Sequence, residues 1–147
     1  MSTVKACLAQ KSARVFSLES TATVVQALQM MREQRIRSVL VIEGGALKGI
    51  VTQGDCAIKV LLPGRDARTV TLDEIMSRNP QTVNLAATLD QCMKMMMARS
   101  IRHLPVLDGS TVVGMVSIGD IVKDIMQQQG EHIRYLETYI KGHAVEY

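Results

Sequence analysis

The stretches GIVTQGD (Gly49–Asp55) and GMVSIGD (Gly114–Asp120) carry nearly the same seven residues, 65 positions apart. In each, a hydroxyl residue (Thr52, Ser117) stands three places before an aspartate (Asp55, Asp120), at the end of a β-rich run. Sliding the chain on itself by that interval aligns residues 22–61 with 87–126 without a gap, and thirteen of the forty pairs are identical. Unrelated segments match at only a few positions, so this is an internal duplication. Between the copies, LPGRDARTV (Leu62–Val70) combines Pro, Gly and several charges and reads as a linker.

Both copies follow one local plan. Thr23 with Gln26, and Thr88 with Gln91, have the spacing of a capping box. Apolar residues then recur at Val24, Leu28 and Met31, and at Leu89, Met93 and Met96, a helical stripe. RSVLVIE (37–43) and RHLPVLD (102–108) read as strands, and Gly44-Gly45 and Gly109-Ser110 as tight hairpin turns. The return strands, LKGIVT and VVGMVS, lead into a second amphipathic helix, and short strands are expected near Val15–Leu18 and Thr82–Leu85. The fold class is α/β (α+β): two β-α-β-β-α units, each too small to bury its sheet alone, packed as a pseudo-twofold pair around a shared core. Met30, Met31, Met93, Met95, Met96 and Met97 are expected to fill gaps between the packed units.

A chain of 147 residues allows one domain or two very small units, and 47% hydrophobic with 21% charged residues is the balance of a globular chain. The apolar runs are too short to span a bilayer and MSTVKACLAQKS lacks a signal peptide's apolar stretch, which predicts a cytoplasmic protein with no membrane partner. The net charge of +3 is mild, the basic residues are scattered, and one Phe, three Tyr and no Trp make no aromatic platform; no nucleic-acid partner is expected. Cys7, Cys56 and Cys92 are odd in number and widely spaced, which predicts reduced thiols in or near the core.

The doubled motif is where the chemistry lies. A carboxylate in the first turn of a helix can accept from two neighbouring hydroxyls, which suits the 2′- and 3′-OH of a ribose. Thr52 or Ser117 lies beside it, the helix N-terminus favours a phosphate nearby, and Gly54 and Gly119 leave the approach open. The same residues also fit plain helix caps, and both readings stand. Arg37 and Arg102 open the middle strands and His103 follows the second; they suit an anionic tail or a solvated strand end. His132 and His143 have no ligand-spaced partners, so no metal site is argued. No nucleotide-hydrolase, dinucleotide, zinc-protease or serine-hydrolase motif occurs, so no enzyme and no catalytic cofactor are expected.

IRSVLVIEGGALKGIVTQGDCA (36–57) and IRHLPVLDGSTVVGMVSIGDIV (101–122) each resemble the second half of a cystathionine-β-synthase (CBS) domain. The pair resembles a Bateman module of the stand-alone bacterial type, with domains at 4–61 and 71–128, the linker at 62–70 and a short C-terminal amphipathic helix at 131–142 bearing Ile133, Leu136 and Ile140, with Gly142 as its stop. The resemblance implies a regulatory module that binds AMP, ADP, ATP or NAD(H), with S-adenosylmethionine ranked behind them, in clefts between the copies. It further implies a homodimer, formed through the helix stripes with Met31 and Met96 and the C-terminal helix, and an effector protein in trans. The family pattern puts Thr52, Gly54 and Asp55, and Ser117, Ile118, Gly119 and Asp120, at the ribose and phosphate. It puts Arg37, Ser38, Arg102 and His103 near phosphate, together with Pro105, and Ala22 and Ala87 near the base. The first copy departs from the pattern with Leu40 in place of Pro105 and Ser38 in place of His103. The alternative is a structural or interaction dimer whose clefts stay unoccupied.

Overall fold

In the computed structural model, residues 2–11 and 14–142 are described. The chain starts with a short helix, α1 (Val4–Gln10), capped by the Thr3 side chain. The first copy then runs through β1 (Ser17–Leu18), α2 (Val24–Gln34), β2 (Ser38–Glu43), β3 (Ala46–Thr52) and α3 (Gln53–Cys56), which a π-helical turn extends over Ala57–Leu61. A one-turn helix, α4 (Leu72–Ile75), and β4 (Ser77–Arg78) follow. The second copy repeats the order as β5 (Val83–Asn84), α5 (Leu89–Arg99), β6 (His103–Asp108), β7 (Thr111–Ser117) and α6 (Ile118–Gly142).

Two small sheets result, ordered β1-β2-β3-β4 and β5-β6-β7, with the first strand of each copy parallel to the second and the hairpin antiparallel. Both hairpins carry a register shift at the same place, between Val41 and Ile42 and between Val106 and Leu107. The turns use left-handed backbone at Gly44 and Gly109 (φ +56° and +63°), which glycine adopts without steric cost. The capping boxes at Thr23 and Gln26 and at Thr88 and Gln91 are formed. On α2 and α5 the residues facing the core are Val24, Ala27 and Met31, and Leu89, Cys92 and Met96. The inward stripe therefore turns at the third residue, not the fourth: Leu28 is exposed and Met93 only half-buried.

Two corrections follow from the packing. The copies do not share one core, because the buried residues form two separate clusters, one per copy. Each copy closes its cluster with a borrowed segment. Val4 and Leu8 of α1 are buried in the second cluster, while Val70, Leu72, Ile75 and Met76 are buried in the first. Backbone hydrogen bonds fix the exchange: Val4 N donates to Ala87 O and Leu72 N to Ala22 O, and Thr3 pairs with Thr88 as Thr71 does with Thr23. The second correction concerns the C-terminal segment. Residues 131–142 are no separate helix but the continuation of α6, a single helix of 25 residues. Gly130 is the only weak helix former at the junction, and one glycine lowers helix stability by about 1 kcal/mol without ending the helix. The apolar side expected at Ile133, Leu136 and Ile140 lies outside the described side chains, as does the backbone beyond Gly142.

The borrowed segments also account for two of the repeated glycines. A Cβ on Gly114 would sit 2.8 Å from Leu8, and one on Gly49 would sit 2.7 Å from Met76 and 2.8 Å from the Ser77 carbonyl oxygen. The strands must be bare there for Leu8 of α1, and for Met76 and the start of β4, to lie against them. Met31 and Met96 are buried, Met30, Met93 and Met95 pack against the clusters, and Met97 is exposed. Cys56 and Cys92 are buried and Cys7 half-buried, all three free thiols; burial raises their pKa values, that of Cys56 to about 11, and keeps them protonated.

Candidate nucleotide cleft

Antiparallel pairing gathers the residues singled out in the sequence. Register places Ser38 opposite Thr52 and His103 opposite Ser117, so the start of each middle strand meets the end of its partner. The Arg37 carbonyl accepts from Gln53 N and the Arg102 carbonyl from Ile118 N, which ties each arginine to the first turn of the following helix. A cleft of about 900 Å³ opens between the copies against this framework. Arg37 and Ser38 from the first copy line it, with Arg102, His103, Ser117, Ile118 and Gly119 from the second.

Asp120 sits beside that wall. Its Oδ2 accepts from Ser117 N at 2.8 Å and from Ser117 Oγ at 3.1 Å, and the Asp120 amide donates to Ser117 Oγ at 3.3 Å. Thr52 and Asp55 make the same reciprocal capping box, at 2.9 and 3.1 Å. Both aspartates are therefore helix caps, whatever else they do. A lysine joins each carboxylate: Lys11 Nζ lies 2.7 Å from Asp120 Oδ2, and Lys59 Nζ lies 3.2 Å from Asp55 Oδ1.

Other expected residues are elsewhere. Thr52, Gly54 and Asp55 are not in the lining of this cleft; nor is Asp120 itself, which meets the lining through its bonds to Ser117 and Lys11. Ala22 and Ala87 are engaged through their carbonyls with the borrowed segments, and Ala87 borders a shallower cavity of about 650 Å³ with Asn84 and Lys94. Pro105 is buried in β6 opposite Met115. The matching residue of the first copy, Leu40, donates its amide to Phe16 O, a bond that proline cannot make. A Cβ on Gly119 would meet only Ser117 Oγ, at 3.5 Å, so protein packing does not demand glycine there.

What sequence reading missed is charge convergence. Lys11, Arg14, Arg35, Arg37, Arg102 and Lys123 are scattered along the chain, yet all six line the cleft, and none of its described lining residues is acidic. Arg37 and Arg102 stand out in the sequence at the starts of the middle strands, whereas Lys11, Arg14, Arg35 and Lys123 carry no local signal. His103 lies among these cations. Burial lowers its pKa below 6.5, Arg37, Arg102 and Lys11 lower it further, and Asp120 opposes them. A histidine depressed in the folded state leaves the unfolded chain holding more protons, so stability rises with pH through this window. We therefore expect stability contributed by neutral His103 to be complete above pH 6.5 and to be lost as pH falls below it. Urea midpoints at several pH values should show the slope, and His103→Asn should flatten it; an unchanged slope would contradict this environment.

Comparison with known proteins agrees with this architecture. The family model for the CBS domain matches residues 11–61 and 72–127. The chain belongs to the CBS-domain family, as a tandem pair. It is 30% identical over 129 residues to the CBS domain-containing protein YhcV of Bacillus subtilis, covering 88% of this chain and 89% of that one. It is 31% identical over 125 residues to the mitochondrial CBS domain-containing protein CBSX3 of Arabidopsis thaliana, covering 82% of this chain but only 61% of that protein's length. Among solved structures, a protein with CBS domains from Burkholderia ambifaria MC40-6 superposes with a TM-score of 0.84 at 35% identity, over 87% of this chain and 96% of that one. The CBS domain pair of protein MJ0100, solved in complex with 5′-methylthioadenosine and S-adenosyl-L-methionine, superposes with a TM-score of 0.78 at 26% identity, over 87% and 98% of the two chains. Among the described residues, no helix is long and apolar enough to cross a membrane, and no group of three or more His, Cys, Asp or Glu could hold a metal ion.

Proposed function

We propose that this protein is a regulatory sensor of adenine nucleotides (AMP, ADP, ATP or NAD(H)), that it binds them between its two copies, and that it has no catalytic activity of its own. The observation that carries this reading is the cleft: about 900 Å³, six cationic side chains in its lining, and Ser117 in that lining with Asp120 bonded to it. The carboxylate suits ribose hydroxyls, and the cations suit phosphates. Support comes also from the MJ0100 domain pair, which holds adenosyl ligands in the same fold. The output to an effector in trans rests on the family resemblance alone.

One observation favours the other reading, an interaction module with unoccupied clefts: each aspartate is already engaged by its own capping box and by a lysine of the same chain. Calorimetry with AMP, ATP and NADH separates the two. Binding of at least one, with a rise in melting temperature by mass action, is expected; no heat and no shift at millimolar concentration would leave the interaction module.

The homodimer belongs to the same proposal, with a changed surface. Met31 and Met96 are 2% exposed and cannot meet a second copy. The surface proposed instead groups exposed apolar residues of the two second helices: Ile58, Leu61 and Leu62 after α3, and Val122 and Met126 on α6. Leu61 and Met126 are 65 positions apart, so the repeat presents apolar side chains on both second helices. A 16.2 kDa monomer in sedimentation at micromolar concentration would exclude this part of the reading.

A further inference from the structure

Lys11 follows α1 directly and lies 109 residues from Asp120 in sequence, yet it is Asp120's cationic partner. Its ammonium donates to Asp120 Oδ2 at 2.7 Å and to the Met115 carbonyl oxygen at 2.7 Å. An ammonium has three donors, so one remains. Lys11 belongs to the cleft lining, and its side chain is 35% exposed while that of Asp120 is 12% exposed. The first copy differs. Its lysine, Lys59, is one turn along Asp55's own helix and donates to the Ile75 carbonyl oxygen, away from the described cleft. The borrowed N-terminal segment thus places a cation at Asp120 that the duplication itself does not supply.

We propose that Lys11 sets the ligand specificity of this cleft, selecting compounds with an anionic group next to the ribose over uncharged adenosyl compounds. The proposal rests on Asp120 receiving the ribose hydroxyls. A ribose that takes the carboxylate must share it with the Lys11 ammonium or move the ammonium aside. A phosphate beside the ribose compensates, because it accepts a charge-assisted bond and gives the ammonium a new charge partner. An uncharged 5′ group offers no such acceptor, so for that ligand Lys11 only competes for Asp120. Arg14, Arg35, Arg37, Arg102 and Lys123 add to the preference for negative charge, but none of them is bonded to Asp120.

The test is Lys11→Met, which keeps most of the apolar stem and removes the charge, with melting temperature as a check on folding. Calorimetry would compare AMP, 5′-methylthioadenosine and inorganic tripolyphosphate on the full chain. AMP is expected to weaken about tenfold, tripolyphosphate to weaken as well, and 5′-methylthioadenosine to hold or tighten; Lys11→Arg should recover AMP binding. Equal losses for AMP and 5′-methylthioadenosine would make Lys11 a support for Asp120 only and overturn the proposal, as would unchanged AMP affinity. A wild-type protein that binds 5′-methylthioadenosine but not AMP overturns the specificity proposal and leaves the adenosyl site standing. Lys11-dependent binding of tripolyphosphate with no adenosyl ligand bound upholds the anion contact and overturns the nucleotide reading. No binding of any of the three overturns both.

Discussion

Leu8→Ala is expected to destabilise the protein by about 3 kcal/mol, although it lies in a seven-residue helix near the chain start, outside the repeated segment. Leu8 is 6% exposed within the second cluster, with its methyl groups against the bare face of Gly114. Removing them forfeits burial and leaves a void that β7 cannot fill, since glycine has no side chain to move. For a chain of this size the melting temperature should fall by roughly 6–12 °C. Met97→Ala is the control: Met97 is 73% exposed on α5, outside the surface assigned to the dimer, and its loss should cost no more than about 0.5 kcal/mol. Equal costs for the two variants would mean that α1 is not docked as described. Because Lys11 directly follows α1, Leu8→Ala should also weaken ligand binding in the cleft, whereas Met97→Ala should not.

This helix shows where sequence reading stopped. The repeat was legible because each half must solve the same local problem. Thr23 and Thr88 must cap a helix, Gly44 and Gly109 must turn a hairpin, and the Gly49 and Gly114 strands must admit a neighbour. The borrowed segments solve a common problem too, but Thr3 and Thr71 are 68 positions apart, not 65, so sliding by the repeat interval misses them. Leu8 and Met76, which fill the bare faces of Gly114 and Gly49, are likewise 68 positions apart and share size rather than identity. The inward stripe departs from the i, i+4 spacing at Leu28 because the smaller Ala27 and Cys92 are the residues buried on that face. The cleft's charge was legible only in part: Arg37 and Arg102 show at the strand starts, but the six cations come from four separate stretches of chain that only the folded chain brings together. Conversely, the hydroxyl-x-x-Asp pairs were fully legible as a motif, yet their capping role and ligand role use the same atoms, and sequence has no means to divide them.

Asp120→Ala should divide them. It is expected to weaken nucleotide binding about ten- to a hundredfold, from the loss of a charge-assisted contact of about 1.5–3 kcal/mol to the ribose hydroxyls. It should also lower stability by about 1 kcal/mol, the usual effect of removing a cap, with a small addition from the Lys11 pair, which at 35% and 12% exposure is partly screened. Asp55→Ala should show a similar stability loss and a smaller affinity loss. Both carboxylates close the same capping box, but only the Asp120 motif contributes Ser117 and Gly119 to the large cleft, alongside Arg102 and His103. The Asp55 carboxylate is held by Lys59 from its own helix, and neither Thr52 nor Asp55 lines that cleft. Denaturant titrations and calorimetry on both variants give the two quantities separately. If affinity holds in both while stability falls, the aspartates are caps alone and the sensor loses its principal contact. If Asp55→Ala does the greater damage to affinity, the working site is the first copy's, and the cationic cleft must serve something other than the ribose-bearing ligand.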